Sequence, residues 1–251
     1  MGKKAMTPTP LEQLDFEAMR EATETQARLQ MDPLGAVPRG GTLTQQELAA
    51  FIAAGLAFGN VQAIHQSVHK AMAIHLYGEE QVFHGHRWVR GGDLAAIVTR
   101  VRALQDEYGS LGASFLVGYE RGDMRGSLTR FSALLDAGLP KRRGVQYLCT
   151  SPAGGSACKR LNLFLRWVVR TEGVDLGLWT DVSPADLIVP LDVHVLRFAQ
   201  HHGLTGRRAA SWLAAEEVTA WFRQRWPTDP LRYDFAISHS GMMRGVQGGA
   251  P

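Results

Sequence analysis

An all-α fold is predicted for this chain, on three observations. Apolar residues recur at helical spacing along almost the whole length. Capping residues and Gly- or Pro-rich breaks punctuate those periodic segments. Tight hairpin signals such as Asn-Gly between alternating strands are absent.

The elements follow in order. Thr9 to Gln30 reads as an amphipathic helix, ended by the Pro and Gly residues of "MDPLGAVPRGG". "TLTQQELAAFIAAGLAF" reads as a helix capped by Thr42 or Thr44. Glu47, three residues after Thr44, completes a capping box there. Asn60 caps the next helix, which stops at Gly78. "GGDLAAIVTRVRALQDEYG" has Asp93 near its N-cap and Gly109 at its end. "GSLTRFSALLDAG" is shorter, and "CKRLNLFLRWVVR" is strongly amphipathic. "DVHVLRFAQHHG" runs from Asp192 to Gly203. "RAASWLAAEEVTAWFRQRW" and "PLRYDFAISHSGM" complete the set, and the tail "RGVQGGAP" is expected to fray.

Composition bounds the function. With 45% hydrophobic and 20% charged residues in 251, the chain can bury a proper core. No apolar run reaches the roughly 18–20 residues of a membrane span. "MGKKAMTPTP" has no apolar stretch after its charges, so no signal peptide is read and a cytoplasmic location is expected. Cys149 and Cys158 match no zinc or iron–sulfur spacing and form no disulfide framework. His65 and His69 have the i, i+4 spacing of zinc ligands, but no HExxH motif accompanies them. They and the "HGH" pair read as surface or interface residues. The tryptophans read as core, with Trp179 set apart because it lies in a long connection.

Net charge is only +3, yet it is uneven. Residues 121–170 hold ten basic and two acidic side chains, a local +8, while the rest of the chain sums to −5. Such asymmetry suits either a polyanion such as nucleic acid or an ordinary solvated face.

Two stretches carry candidate chemistry. In "SPAGGSACKRLNLFLRWVVR", a Gly-rich turn precedes a helix, an arrangement that offers backbone N–H groups to phosphate at Gly154, Gly155 and Ser156. Lys159 lies about one turn into that helix, as a depressed-pKa nucleophile or as a plain solvated lysine. In "VPLDVHVLRF", Asp192 sits in an apolar run, as an N-cap or as a functional carboxylate.

Together these stretches resemble the helix-hairpin-helix DNA glycosylase superfamily, which includes endonuclease III and the 8-oxoguanine glycosylases. Pro152 fits the hairpin proline, Gly155 a hairpin glycine and Lys159 the lysine. Asp192 fits the aspartate of "VPLDVHV", with Pro190, Val193, His194 and Val195 in register. The resemblance is specific over roughly 150–200 and looser over 45–120. The chain also looks like an uncharacterised bacterial family that shares "GSACKRLNLFLRW" and "PLDxHV". Ala157 replaces the second hairpin glycine, and Lys159 and Asp192 stand 33 residues apart, a longer connection than the family's. The insertion either shapes the base pocket or misplaces Asp192.

The resemblance implies two helical subdomains flanking a DNA-binding cleft. One spans 60–165 and ends in the hairpin; the other combines 1–59 with 166–251 and carries Asp192. It implies a bifunctional DNA glycosylase and AP lyase acting as a monomer on double-stranded DNA, with Lys159 and Asp192 catalytic. DNA contacts are then expected at Gly154, Gly155, Ser156, Arg160, Lys141, Arg142, Arg143 and His194. Phe58, Asn60 and Trp179 are expected at the base pocket or wedge. Carbonyls of Ser151, Ala153 and Ser156 are expected to hold a monovalent or divalent cation; no other cofactor is required, and no iron–sulfur cluster is expected. The substrate is an oxidised purine, in repair, or a hypermodified phage base, in defence. The alternatives are a monofunctional glycosylase using Asp192 and water, or a non-catalytic DNA-binding module.

Overall fold

The computed structural model describes residues 11–239. The expected frayed tail at 244–251 and the start of the first expected helix, at Thr9 and Pro10, lie outside the described residues. Among the described residues the chain is predominantly helical, as expected, and no helix is long and apolar enough to cross a membrane.

The first expected helix is two: α1 (Phe16–Thr23) and α2 (Gln26–Met31). Two threonines cause the break. Thr23 turns its hydroxyl back onto the Met19 carbonyl (2.7 Å), and the Thr25 hydroxyl accepts from Arg28 N–H as the cap of a new helix.

The centre of the fold is α3 (Leu43–Leu56), buried without interruption from Glu47 to Leu56. A helix apolar on all sides must be wrapped by others. Here α4 (Val61–Tyr77), α5 (Gly91–Tyr108), α6 (Leu111–Leu116) and α9 (Lys159–Val169) wrap it. Around these lie α7 (Met124–Asp136), α8 (Arg143–Leu148), α10 (Val193–His201) and α11 (Trp212–Arg225). One contiguous apolar core joins them.

Two local expectations are corrected. The capping box of α3 is Thr42 with Gln45, not Thr44 with Glu47. Glu47 is fully buried and accepts from Gln105 Nε2, Leu111 N, Gly112 N and Trp179 Nε1 at 2.8–3.0 Å. Those donors stabilise a carboxylate that burial would otherwise penalise. A small hairpin also exists, β1 (Gly85–His86) with β2 (Val89–Arg90). Its turn has no glycine: Arg87 adopts φ +53° and lays its guanidinium over the Trp88 ring.

The insertion, 171–188, folds as a strap along α9. Leu176 and Gly177 N–H donate to the Trp167 carbonyl, and Trp179 N–H to that of Val168. Asp175 fixes the strap by pairing with Arg166 (3.0 Å) and Arg170, and Arg166 also pairs with Asp234 (2.7 Å). All four are buried. Burial pulls the Arg166 guanidinium down, but the charges of Asp175 and Asp234 outweigh that and raise it, so it is held charged. Replacing Arg166 by Met is expected to destabilise the chain by about 3–5 kcal/mol, because it strands the buried Asp234 carboxylate and leaves Asp175 with Arg170 alone. Urea unfolding of the variant measures this.

Candidate active site

The stretch expected to form the hairpin folds as α8, an irregular turn and α9. A 3-10 turn at Pro152–Gly154 is capped by the Ser151 hydroxyl, which accepts from Ala153 N–H. Gly155 takes φ +80°, the left-handed region that glycine favours. A side chain at Gly154 or Gly155 would meet nothing within 4 Å, so both face open space. The turn is tied down from two sides. The Gly155 carbonyl accepts from Trp212 N–H (2.9 Å), and Asn162 Nδ2 donates to the Ala157 carbonyl (2.9 Å).

Cys158 has φ +47°, which is strained for a non-glycine residue. It completes the turn, so Lys159 is the first residue of α9 and not one turn inside it. The Cys158 thiol donates to the Thr150 and Ser156 carbonyls. Burial pushes the Cys149 thiol up to about 12 and that of Cys158 up to about 11. Neither forms an appreciable thiolate. Iodoacetamide at about pH 8 is expected to leave both unmodified in the native chain and to label both in the unfolded chain, read by intact mass.

Lys159 Nζ donates to the Ala57 carbonyl at the C-terminus of α3 (3.0 Å) and lies 4.0 Å from Asp192 Oδ2. The strap therefore does not misplace Asp192. The buried run Leu187–Leu191 carries the chain back, Val189 N–H bonds the Thr219 hydroxyl, and Asp192 emerges at the start of α10. Its two oxygens divide the work. Oδ1 accepts from His194 N–H (2.8 Å) and Val195 N–H (2.9 Å), while Oδ2 is the oxygen nearest the lysine. Capping fixes the carboxylate without using the oxygen that faces Lys159.

Both residues line a cavity of about 420 Å³ with Phe58, Tyr147, Arg160, Pro190 and His194. Phe58 belongs to an aromatic cluster, 4.7 Å from His86, 5.0 Å from Trp88 and 4.8 Å from Tyr147 between ring centres. Asn60 does not line the cavity; its side chain caps α4 by accepting from Gln62 and Ala63 N–H. Trp179 is a correction. Its indole is buried against Phe115 and Phe164 and donates to Glu47, so the residue belongs to the core and does not reach the cavity.

The expected phosphate contacts divide. Arg160 turns inward, its guanidinium 3.2 Å from the Tyr147 ring centre and bonded to the Tyr147 carbonyl and the Thr150 hydroxyl. Burial lowers its pKa from the ordinary arginine value. Lys141, Arg142 and Arg143 are exposed. They pair with Asp136, with Asp93 and with the Trp88 ring respectively. Among the described residues no three His, Cys, Asp or Glu side chains gather to hold a metal ion. His65 instead bonds the Met31 carbonyl through Nε2.

Sequence reasoning missed one wall of the cavity, formed by Asp32, Arg166, Asp234, Phe235 and His239. Asp32 Oδ2 lies 3.1 Å from His239 Nε2. Burial raises the Asp32 carboxyl, but the hydrogen bond and charge of His239 outweigh it, and the net shift is down. A signal was present: Asp234 in "YDFAI" sits in an apolar run, the same oddity that marks Asp192.

A family model described as "Protein of unknown function (DUF2400)" matches residues 32–243. No curated protein and no solved structure matches the chain.

Proposed function

We propose that this chain, which belongs to the DUF2400 family, is a DNA glycosylase with an accompanying AP-lyase activity. The observation that carries the reading is the placement of Lys159 Nζ 4.0 Å from the free oxygen of Asp192, at the wall of a cavity. A lysine beside a carboxylate, half withdrawn from water, is suited to imine chemistry.

In this reading the target nucleotide leaves the stack and its base enters the cavity, because the glycosidic bond is shielded in the duplex. The C1′–N bond breaks and its electron pair leaves with the base. Asp192 stabilises the cationic sugar that results. The neutral Lys159 amine attacks C1′, its proton passing to Asp192 or to water. Ring opening gives an imine, and β-elimination then expels the 3′-phosphate and nicks the strand. Lys141, Arg142 and Arg143, together with the open face at Gly154 and Gly155, present the phosphate-binding surface for double-stranded DNA. A cation at the hairpin would draw on the carbonyls of Ser151 and Ala153. That of Ser156 is the weaker donor, since it already accepts from the Cys158 thiol.

The test is mass spectrometry of bases released from several genomic and phage DNAs. The reading expects one modified base to be released by the wild-type chain. An oxidised purine points to repair and a hypermodified phage base to defence. Release that survives Lys159→Ala but not Asp192→Asn points to a monofunctional enzyme. Absence of release across the panel, with no covalent adduct, leaves a DNA-binding module.

A further inference from the structure

We infer that Asp234 is the residue that reads the extruded base, and that it selects a base presenting N–H donors, with a guanine-type purine as the best fit. The inference rests on the glycosylase reading for the identity of its ligand and on separate observations for its chemistry.

Asp234 lines the same cavity as Lys159 and Asp192 and is only 6% exposed. Its Oδ2 accepts from Arg166 Nη1 at 2.7 Å. Its Oδ1 is buried and accepts from no group among the described residues. A buried acceptor left without a donor is costly, so such an atom on a residue that lines a cavity points to a ligand that supplies the donor. Asp93 Oδ1 and Asp136 Oδ1 are also buried without a hydrogen bond, but neither residue lines this cavity, and other buried carboxylates are better supplied. Glu47 collects four donors, and Asp175 is bound by both Arg166 and Arg170. Asp234 shares its arginine with Asp175, which leaves it the less compensated partner. Burial pushes its carboxyl up against the pull of Arg166, and the charge of Asp192 adds to the push.

The wall around Asp234 narrows the ligand. Among the described residues three carboxylates line the cavity: Asp32, Asp192 and Asp234. The donors closest to them are already committed, Arg166 to Asp175 and Asp234, and His239 to Asp32. Phe235 stacks on His239 with ring centres 4.0 Å apart at 20°, giving a flat face beside Asp234. A carboxylate-rich wall favours the base edge with most adjacent donors. Guanine offers N1–H beside its exocyclic amine. Adenine and cytosine place an acceptor nitrogen beside their amine, and uracil-type bases flank one N–H with two carbonyls, which a carboxylate repels.

The experiment uses the full chain and uncleavable 2′-fluoro duplexes, each carrying one 8-oxoguanine or one 5-hydroxyuracil, with affinity read by fluorescence anisotropy. Borohydride trapping on an abasic duplex runs beside it, because it needs Lys159 but no base. Wild type is expected to prefer the 8-oxoguanine duplex by about ten- to hundredfold, the worth of a charge-assisted hydrogen bond. Asp234→Asn is expected to erase that preference and still be trapped on the abasic duplex. If Asp234→Asn is not trapped, its fold is in question. Asp234→Glu, which keeps the charge opposite Arg166 but moves the oxygens, is then expected to show the same loss with trapping intact. Equal affinities in wild type, a preference for 5-hydroxyuracil, or an unchanged preference in a trapped Asp234 variant would overturn the inference. Absent trapping in wild type, with an Asp234-dependent preference retained, would sink the lyase reading and leave this assignment standing.

Discussion

Asp192→Asn is expected to slow base release by about 10²–10⁴-fold with little loss of stability. The argument rests on the division of labour between the two oxygens. Asn is as good an N-cap as Asp, so its amide oxygen can take over the bonds from His194 and Val195 N–H. What faces Lys159 then becomes a neutral amide. It neither accepts the lysine proton nor stabilises a cationic sugar. Single-turnover base release and thermal unfolding, measured together, separate the two roles. Asp192→Ala is the contrasting variant: it loses the cap as well, at about 1 kcal/mol. A purely structural Asp192 would reverse the pattern, with Asn harmless to turnover and Ala slowing it only in proportion to lost fold.

Lys159→Ala is expected to abolish imine formation, and with it strand nicking, by about 10⁴-fold or more. The substitution is mild on the fold. Alanine is the best helix former, and the position opens α9 at a half-exposed site. The cost is the bond to the Ala57 carbonyl, about 0.5–1.5 kcal/mol. Lys159→Arg supplies the control that removes nucleophilicity and keeps charge. If Lys159 only contacts phosphate, Arg should restore function; if it is the nucleophile, Arg should fail as Ala does.

The parts of this molecule legible in its sequence are those set by local chemistry. Asn60 and Asp192 cap the helices they precede because a short polar side chain there meets the next turn's N–H groups. The Lys159–Asp192 pairing is legible only through the family resemblance of the two motifs; their spacing is longer than the family's, and nothing in the string shows that the strap returns the chain to that point. It does so because Asp175 answers Arg166 on α9 and Arg170 at its C-cap. The misreadings share one physical origin. Glu47 reads as part of a capping box because its partners, Gln105, Leu111 and Trp179, are distant in sequence. Trp179 reads as a pocket residue in the sequence because its acceptor, Glu47, lies 132 residues away. The β1–β2 hairpin was missed because Arg87 occupies a position where turn rules look for glycine or asparagine. Asp32, Asp234 and His239 meet only in the folded chain, joining a segment before α3 to one after α11.

The central claim is that Lys159 forms a covalent imine with DNA. Borohydride reduction of the chain with an abasic duplex, followed by proteolysis and mass mapping, tests it most directly. The account predicts a single stable adduct on the peptide containing Lys159, absent from Lys159→Ala and Lys159→Arg. No adduct, or an adduct mapped to another amine, would contradict it.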